Sequence, residues 1–412
     1  MPIKLNNMIP FSPPRIDQEI INEVIDTLKS GWITTGPKTK LFEKKITEYC
    51  NNKATVCVNS GTSGLEVVLR WFGVKEGDEV ILPVYTYCAT ANVIVHCGAT
   101  PVFVDINETD FNISIKKIEK AITSKTKVII PVDLGGFPCD YNGINSLVNR
   151  DDVINLFSPN NEIQEKLGRI LVLSDSAHSM GARYYGKKAG SLTDISVFSF
   201  HAVKNLSTGE GGAISLNLSE PFDNQQIYNY LSVFCMHGQS KDALTKSKIG
   251  KWRYDVSIAG YKANMTDLLA SIGLIEIDRY ESDTLVKLKS VFDRYSKLLG
   301  KYPWAILPTY DTSDRRSAFH LYLLRIKEIT EEQRDKIIQK VFIKNVSVNV
   351  HFIPIPMLSY YNGKKYKIKE FPVAYDSYSR EITLPTFYDL TPDQIDQVVD
   401  AVVKSVEEVI KS

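Results

Sequence analysis

The residues best suited to chemistry lie between Ser174 and Gly212. Ser174-Asp175-Ser176-Ala177-His178 closes one apolar run. A second, Ile195 to Phe198, leads into Ser199-Phe200-His201-Ala202-Val203-Lys204-Asn205 and then the glycine-rich turn Thr208-Gly209-Glu210-Gly211-Gly212. A neutral lysine amine is a nucleophile toward carbonyl carbon, and a carboxylate can hold a heteroaromatic nitrogen protonated. An acid and a lysine just beyond two consecutive buried runs therefore suit pyridoxal 5′-phosphate (PLP), with Lys204 forming the Schiff base and Asp175 facing the pyridine nitrogen. The same two residues could instead form a buried ion pair, so the surrounding elements must decide.

Those elements alternate. Ala54 to Val58 reads as a buried strand, running into the small-residue turn Asn59-Ser60-Gly61-Thr62-Ser63-Gly64 and a helix from Leu65 to Phe72. Strand, turn and helix in that order aim free backbone N–H groups at an anion, with Thr62 and Ser63 adding hydroxyls, although many such turns serve packing alone. Asp78 to Pro83 is a further strand. The small residues around Cys88 to Ala91 start a helix, and Tyr87 before them is either a stacking face for a planar ring or an ordinary half-buried tyrosine. Strands at Pro101 to Val104 and Val128 to Val132 flank a helix at Ile115 to Ile122. Asp151 to Gly168 reads as an irregular surface excursion before the strand Arg169 to Leu173, and Gly212 to Leu216 as a returning strand. This alternation predicts an α/β fold with a mostly parallel sheet, in which ligands sit beyond the carboxyl ends of the strands. The Gly61 turn, Tyr87, Asp175 and Lys204 all follow strand ends.

The flanks add a second unit. Ile16, Ile20, Ile21, Val24, Ile25 and Leu28 have helical spacing, and Gly31 stops the helix. Trp32-Ile33-Thr34-Thr35-Gly36-Pro37 is a packed connector or a ligand-facing turn, followed by a helix carrying Leu41, Phe42, Ile46 and Tyr49. A long helix over 281–299 leads to strands at Leu321 to Ile326 and Ser347 to His351 and helices at Glu331 to Phe342 and Pro392 to Ile410. The division predicted is a large cofactor-binding domain over 1–280 and a small α+β domain over 281–412. His320 and His351, near the strands of the smaller unit, suit packing or a substrate contact. Lys+Arg 49 against Asp+Glu 48 gives no basic excess for nucleic acid, and no apolar run suits a membrane span. The six scattered cysteines, with no CxxC and no metal-ligand spacing, read as reduced thiols of a cytoplasmic protein.

These blocks together resemble the DegT/DnrJ/EryC1/StrS family of PLP-dependent nucleotide-sugar aminotransferases, which have the aspartate-aminotransferase-like fold type I. The likeness runs from Ser30-Gly31-Trp32-Ile33-Thr34-Thr35-Gly36-Pro37 to Leu384-Pro385 and the last helix. Its most specific parts are Ser60-Gly61-Thr62, Gly77-Asp78-Glu79-Val80-Ile81, Asp175-Ser176-Ala177-His178, and Ser199-Phe200-His201 through Lys204 to Gly212. The resemblance implies that Lys204 carries the cofactor and Asp175 holds the pyridine nitrogen. It places His178 near the ring and its phenolic oxygen, Tyr87 stacked on the ring, and Gly61, Thr62, Ser63 and Ser199 at the phosphate. Thr34, Thr35, His320 and His351 are then candidate substrate contacts. It also implies a homodimer with shared active sites. Many members have Gly-Tyr-Asn-Tyr-Arg-Met where this chain has Gly260-Tyr261-Lys262-Ala263-Asn264-Met265. Lys262 thus replaces the asparagine that reaches the partner's phosphate, and a lysine still serves an anion as a point charge.

The implied reaction takes an amino group from L-glutamate, leaving pyridoxamine 5′-phosphate, and passes it to a keto group of a nucleotide-linked sugar. The motifs look nearest to enzymes that aminate C4 of a UDP-2-acetamido-4-keto-2,6-dideoxyhexose. C3 of a dTDP-keto-6-deoxyhexose is the alternative. A sugar dehydratase of the same family would have histidine in place of Lys204, and a non-catalytic regulator would need neither Lys204 nor Asp175.

Overall fold

The computed structural model describes residues 8–240, 253–363 and 366–411. Seven strands form one sheet: β1 (Ala54–Val58), β2 (Glu79–Pro83), β3 (Thr100–Val104), β4 (Thr126–Ile129), β5 (Leu171–Asp175), β6 (Ile195–Ser199) and β7 (Gly212–Leu216), in the order β1-β7-β6-β5-β4-β2-β3. Only β7 runs against its neighbours. The central strands are buried throughout, as expected for a sheet covered on both faces. Helices link the parallel strands from β1 to β5, and a short hairpin, Arg183–Tyr184 with Lys187–Lys188, lies between β5 and β6, so the carboxyl ends of β2, β5 and β6 open on one edge of the sheet.

Local chemistry sets where the helices begin. α3 (Gly61–Trp71) starts four residues before its expected position, because the Ser60 hydroxyl accepts from Ser63 N at 3.0 Å and caps the turn. α2 (Pro37–Cys50) lacks a cap of its own. It is held from a distance by the buried Asp267, whose carboxylate accepts from Gly36 N (2.8 Å), Lys38 N (3.0 Å), Thr39 N (2.8 Å) and Thr39 Oγ1 (2.7 Å). Negative charge at a helix N-terminus is favourable, and here it replaces the missing cap. Asp267 itself opens the helix Asp267–Arg279, which passes through a π turn at Tyr280–Thr284 into the helix Leu285–Leu299. The expected long helix at 281–299 therefore begins at Leu285 and forms one run with the helix before it. Beyond it, Ala305–Ile306, Tyr322–Ile326 and Glu381–Leu384 make a three-stranded antiparallel sheet.

Two further expectations change. The stretch 151–168 is not irregular: it holds helices Asp151–Leu156 and Glu162–Leu167. Asn161 caps the second by accepting from Ile163 N and Gln164 N, Gly168 ends it in the left-handed region, and the buried Gln164 donates to Phe72 O at 3.0 Å. Ser347 to His351 is not a strand but a single bridge from Asn349 to Thr383. The helical spacing read for the first helix holds in α1 (Gln18–Lys29), but its apolar stripe is not buried. Ile20 is inside, while Ile16 (59% exposed), Ile21, Ile25 and Leu28 (53% exposed) face outward.

Asp267→Ala leaves several N–H groups of α2 without partners. The expected loss is about 3 kcal/mol or more of unfolding free energy, read as a lower urea midpoint with an unchanged slope. A shift below about 0.5 kcal/mol would show that α2 does not depend on this carboxylate.

Candidate active site

A cavity of about 440 Å³ lies at the carboxyl ends of the strands. The β1–α3 turn contributes Ser60, Gly61 and Thr62. The segment entering α4 (Cys88–His96) contributes Thr86, Tyr87 and Thr90. Asp175, Ala177 and His178 follow β5, and Ser199, His201 and Lys204 end and follow β6. His320, Leu321, His351 and Phe352 close the far side, with Phe11 from the N-terminal segment.

Asp175 is 7% exposed. Its Oδ2 accepts from Thr90 Oγ1 at 2.7 Å and its Oδ1 from Ala177 N at 3.2 Å. Burial pushes its carboxyl above the usual range, while Thr90, Ala177 and the charge of Lys204 pull it back. Lys204 is only partly exposed, and burial lowers its amine to about 8, with Asp175 opposing. Its Nζ makes no hydrogen bond or salt bridge among the described residues, so the two groups sense each other's charge without closing into an ion pair. The structural alternative left open by the sequence, a buried ion pair, is thus not what the chain forms. A carboxylate buried in this way is costly without a cation against it, and a protonated heteroaromatic nitrogen beside Asp175 would supply one. The arrangement fits PLP.

His178, His320 and His351 are neutral donors and acceptors. His178 Nδ1 accepts from Gly135 N at 3.3 Å, which leaves the proton on Nε2. Burial, with Lys204 and the other two histidines adding, drives its pKa far down. Its ring stacks on Phe352 at 5.9 Å and meets His320 at 4.6 Å. His320 Nδ1 pairs with Asn205 Oδ1 at 3.0 Å, and burial lowers its pKa too. His351 Nδ1 lies 2.9 Å from Thr383 Oγ1, and burial takes its pKa to about 3.

Of the residues singled out in the sequence, Gly61, Thr62, Tyr87, Asp175, His178, Ser199, Lys204, His320 and His351 meet at this cavity. Tyr87 is 57% exposed and tilted against Phe352 at 5.7 Å. Four others stand outside its walls. Ser63 N and Oγ both bond Ser60 Oγ, at 3.0 Å each, in the helix cap. Thr34 gives its carbonyl to Asp267 N, and Thr35 Oγ1 is engaged by Met265 O and Asn264 Nδ2. Lys262 is exposed, in a bridge with Met236. Sequence reasoning passed over Thr90, Phe11 and Phe352. Thr90 had a legible signal, since it stands one turn on from Tyr87 in a helix start otherwise made of small residues. The two phenylalanines had none, because they reach the cavity from parts of the chain remote in sequence.

The model of the DegT/DnrJ/EryC1/StrS aminotransferase family matches residues 14–403. The chain belongs to that family. It is 36% identical over 405 residues to the spore coat polysaccharide biosynthesis protein SpsC of Bacillus subtilis, covering 97% of each chain. Among solved structures it is similar to the putative sugar aminotransferase Spr1654 of Streptococcus pneumoniae. The form with pyridoxamine phosphate gives 41% identity and a TM-score of 0.93 over 97% of this chain and 100% of that one. The PLP form gives 40% identity and a TM-score of 0.93 over 98% and 99%. The fold is accordingly that of the fold type I sugar aminotransferases, and the protein is a PLP-dependent aminotransferase.

Only the neutral amine of Lys204 can attack the cofactor's aldehyde. With its pKa near 8, the rate of PLP capture by the apoprotein should rise about tenfold between pH 7 and pH 9 and then level off. Stopped-flow visible absorbance measures this. A rate still climbing steeply above pH 9, as for an ordinary lysine, would contradict the buried placement.

Proposed function

We propose that the protein transfers an amino group from L-glutamate to a keto group of a nucleotide-linked sugar, at C4 of a UDP-2-acetamido-4-keto-2,6-dideoxyhexose, for surface polysaccharide synthesis. The observation that carries the aminotransferase chemistry is the unpaired Lys204 amine facing Asp175 across the cavity. The nucleotide and the carbon rest on the likeness of the motifs, and SpsC supports a place in polysaccharide synthesis.

Bound PLP supplies an electron sink for loss of the substrate's Cα proton. The chain's own residues do the rest. Asp175 holds the proton of the ring nitrogen, with Thr90 and Ala177 N fixing its carboxylate. Lys204 Nζ, with its lowered pKa, takes a proton from carbon and returns it as general base and then acid. His178 would offer Nε2–H to the phenolic oxygen, and Tyr87 would supply an aromatic face for the ring. Gly61 and Thr62 at the N-terminal end of α3, with Ser199 at the end of β6, would hold the phosphate. Ser63 supports that end through its cap. A lysine at position 204, where the family's dehydratases have histidine, favours amino transfer.

The active form is a homodimer in the cytoplasm. The outward apolar stripe of α1 is the surface a second copy would cover. Lys262, exposed and not among the residues that wall its own cavity, then reaches the partner's phosphate. The six free cysteines, all buried but the partly exposed Cys88, suit a reducing compartment. Among the described residues no helix is long and apolar enough to cross a membrane.

Purified protein should be yellow and should bleach with L-glutamate. Lys204→Ala should lower turnover by at least about 10⁴-fold while the protein stays folded. Retained turnover would refute the role given to Lys204. A panel of UDP and dTDP keto-sugars, with product NMR, decides the substrate. Turnover confined to a dTDP 3-keto sugar would overturn the C4 assignment. Lys204→Ala and Lys262→Ala protomers, each impaired alone, should regain activity on mixing, since one site of the hybrid has both lysines. No recovery in a confirmed hybrid would remove Lys262 from the partner's site.

A further inference from the structure

Glu381 is fully buried and forms no salt bridge among the described residues, an uncommon state for a carboxyl group. Its Oε2 accepts from His351 N at 3.0 Å and its Oε1 lies 2.5 Å from Thr383 Oγ1. Thr383, also fully buried, is in turn 2.9 Å from His351 Nδ1. The series runs from a carboxyl group through a hydroxyl to an imidazole on the cavity wall. Phe11 stacks on that imidazole at 5.4 Å. With Nδ1 engaged by Thr383, Nε2 is the ring atom left for a bound molecule.

A hydroxyl has one proton to give. If Thr383 gives it to an ionised Glu381, its oxygen receives Nδ1–H from His351, and Nε2 faces the cavity as an acceptor. If Glu381 is protonated and donates to Thr383, the hydroxyl donates to Nδ1 and the ring proton moves to Nε2, which becomes a donor. We propose that Glu381 and Thr383 are positioning residues that set which nitrogen of His351 carries the proton, and so whether His351 offers an acceptor or a donor to the substrate. That His351 meets a sugar or amino-acid substrate rests on the proposed function; the position of its proton does not.

The surroundings keep both states within reach. Burial pushes Glu381 up to about 8, opposed by Thr383, His351 N and the charges of Arg334 and Arg325. Those two guanidinium groups and the Tyr85 hydroxyl are the groups that bear on Glu381. Arg334 spends Nη1 on the carbonyls of Tyr378 and Glu381, and Arg325 donates to Ser377 Oγ, so neither closes on the carboxylate. Lys204, His178 and His320 bear on the imidazole. His351 stays neutral throughout this range, so the relay moves the position of its proton and not its charge.

The test is ¹⁵N-histidine NMR of the PLP-loaded full-length protein, with the His351 signals identified by their loss in His351→Gln. The chain has six histidines, which keeps the spectrum tractable. From about pH 6 to about pH 10 the ring should pass from Nε2–H to Nδ1–H with a midpoint near 8. Glu381→Gln mimics the protonated acid: its carbonyl accepts from His351 N and its amide donates to Thr383. It should hold Nε2–H at every pH and remove the matching limb from the kcat/KM profile. Thr383→Val should abolish the midpoint while the thermal transition stays cooperative. A single tautomer across the range in the wild-type protein, or unchanged switching in folded Glu381→Gln, overturns the proposal. If Glu381→Gln does not fold, the wild-type titration alone decides. A wrong sugar assignment would appear as absent turnover with the titration intact.

Discussion

The active site depends on keeping two opposite charges apart. Asp175 and Lys204 would gain from direct contact in a low-dielectric interior, yet each is anchored so that they do not meet. Asp175 is fixed at both oxygens by Thr90 and Ala177, while Lys204 stands beyond the end of the adjacent strand β6. Neither group reaches its most favourable state alone, and the cavity between them presents a lowered amine and a raised acid. Such paired displacement of pKa values is the physical mark of a site prepared for a third, charged group.

The rest of the fold holds that separation. The sheet places strand ends side by side, and α3 directs its N-terminal end at the same cavity. Asp267 fastens α2, while Thr35 binds the preceding turn to Met265. The conspicuous Trp32-Ile33-Thr34-Thr35-Gly36-Pro37 segment and the Ala263 to Asp267 run are therefore partners in packing within this protomer. Lys262, beside them, is the exposed exception.

The strands, their order along the chain and the residues just after them were legible because each depends on local patterning: buried runs, small-residue turns, an acid and a lysine in register. Contacts between distant segments were not. Nothing near Thr383 or Glu381 in the sequence points to His351, and Phe11 lies far from Phe352 in the chain. The helix at 162–167 was legible in principle, since Asn161 and Gly168 are ordinary start and stop signals. The polar run before it obscured them. The apolar stripe of α1 was read correctly as helical spacing, but periodicity cannot say whether the covering surface belongs to the same chain.

The segment from Ile9 to Ser12 reaches residues far along the chain. Ile9, 3% exposed, bridges Val346 beside the small sheet, and Ser12 bonds the carbonyl of Val203 while Phe11 walls the cavity. On the ribosome Ile9 emerges long before Val346, so that bridge must wait until the second has been made. The cavity wall is thus among the last parts of the molecule that can form, and a nascent chain carrying every catalytic residue still lacks an enclosed site until its C-terminal third has emerged.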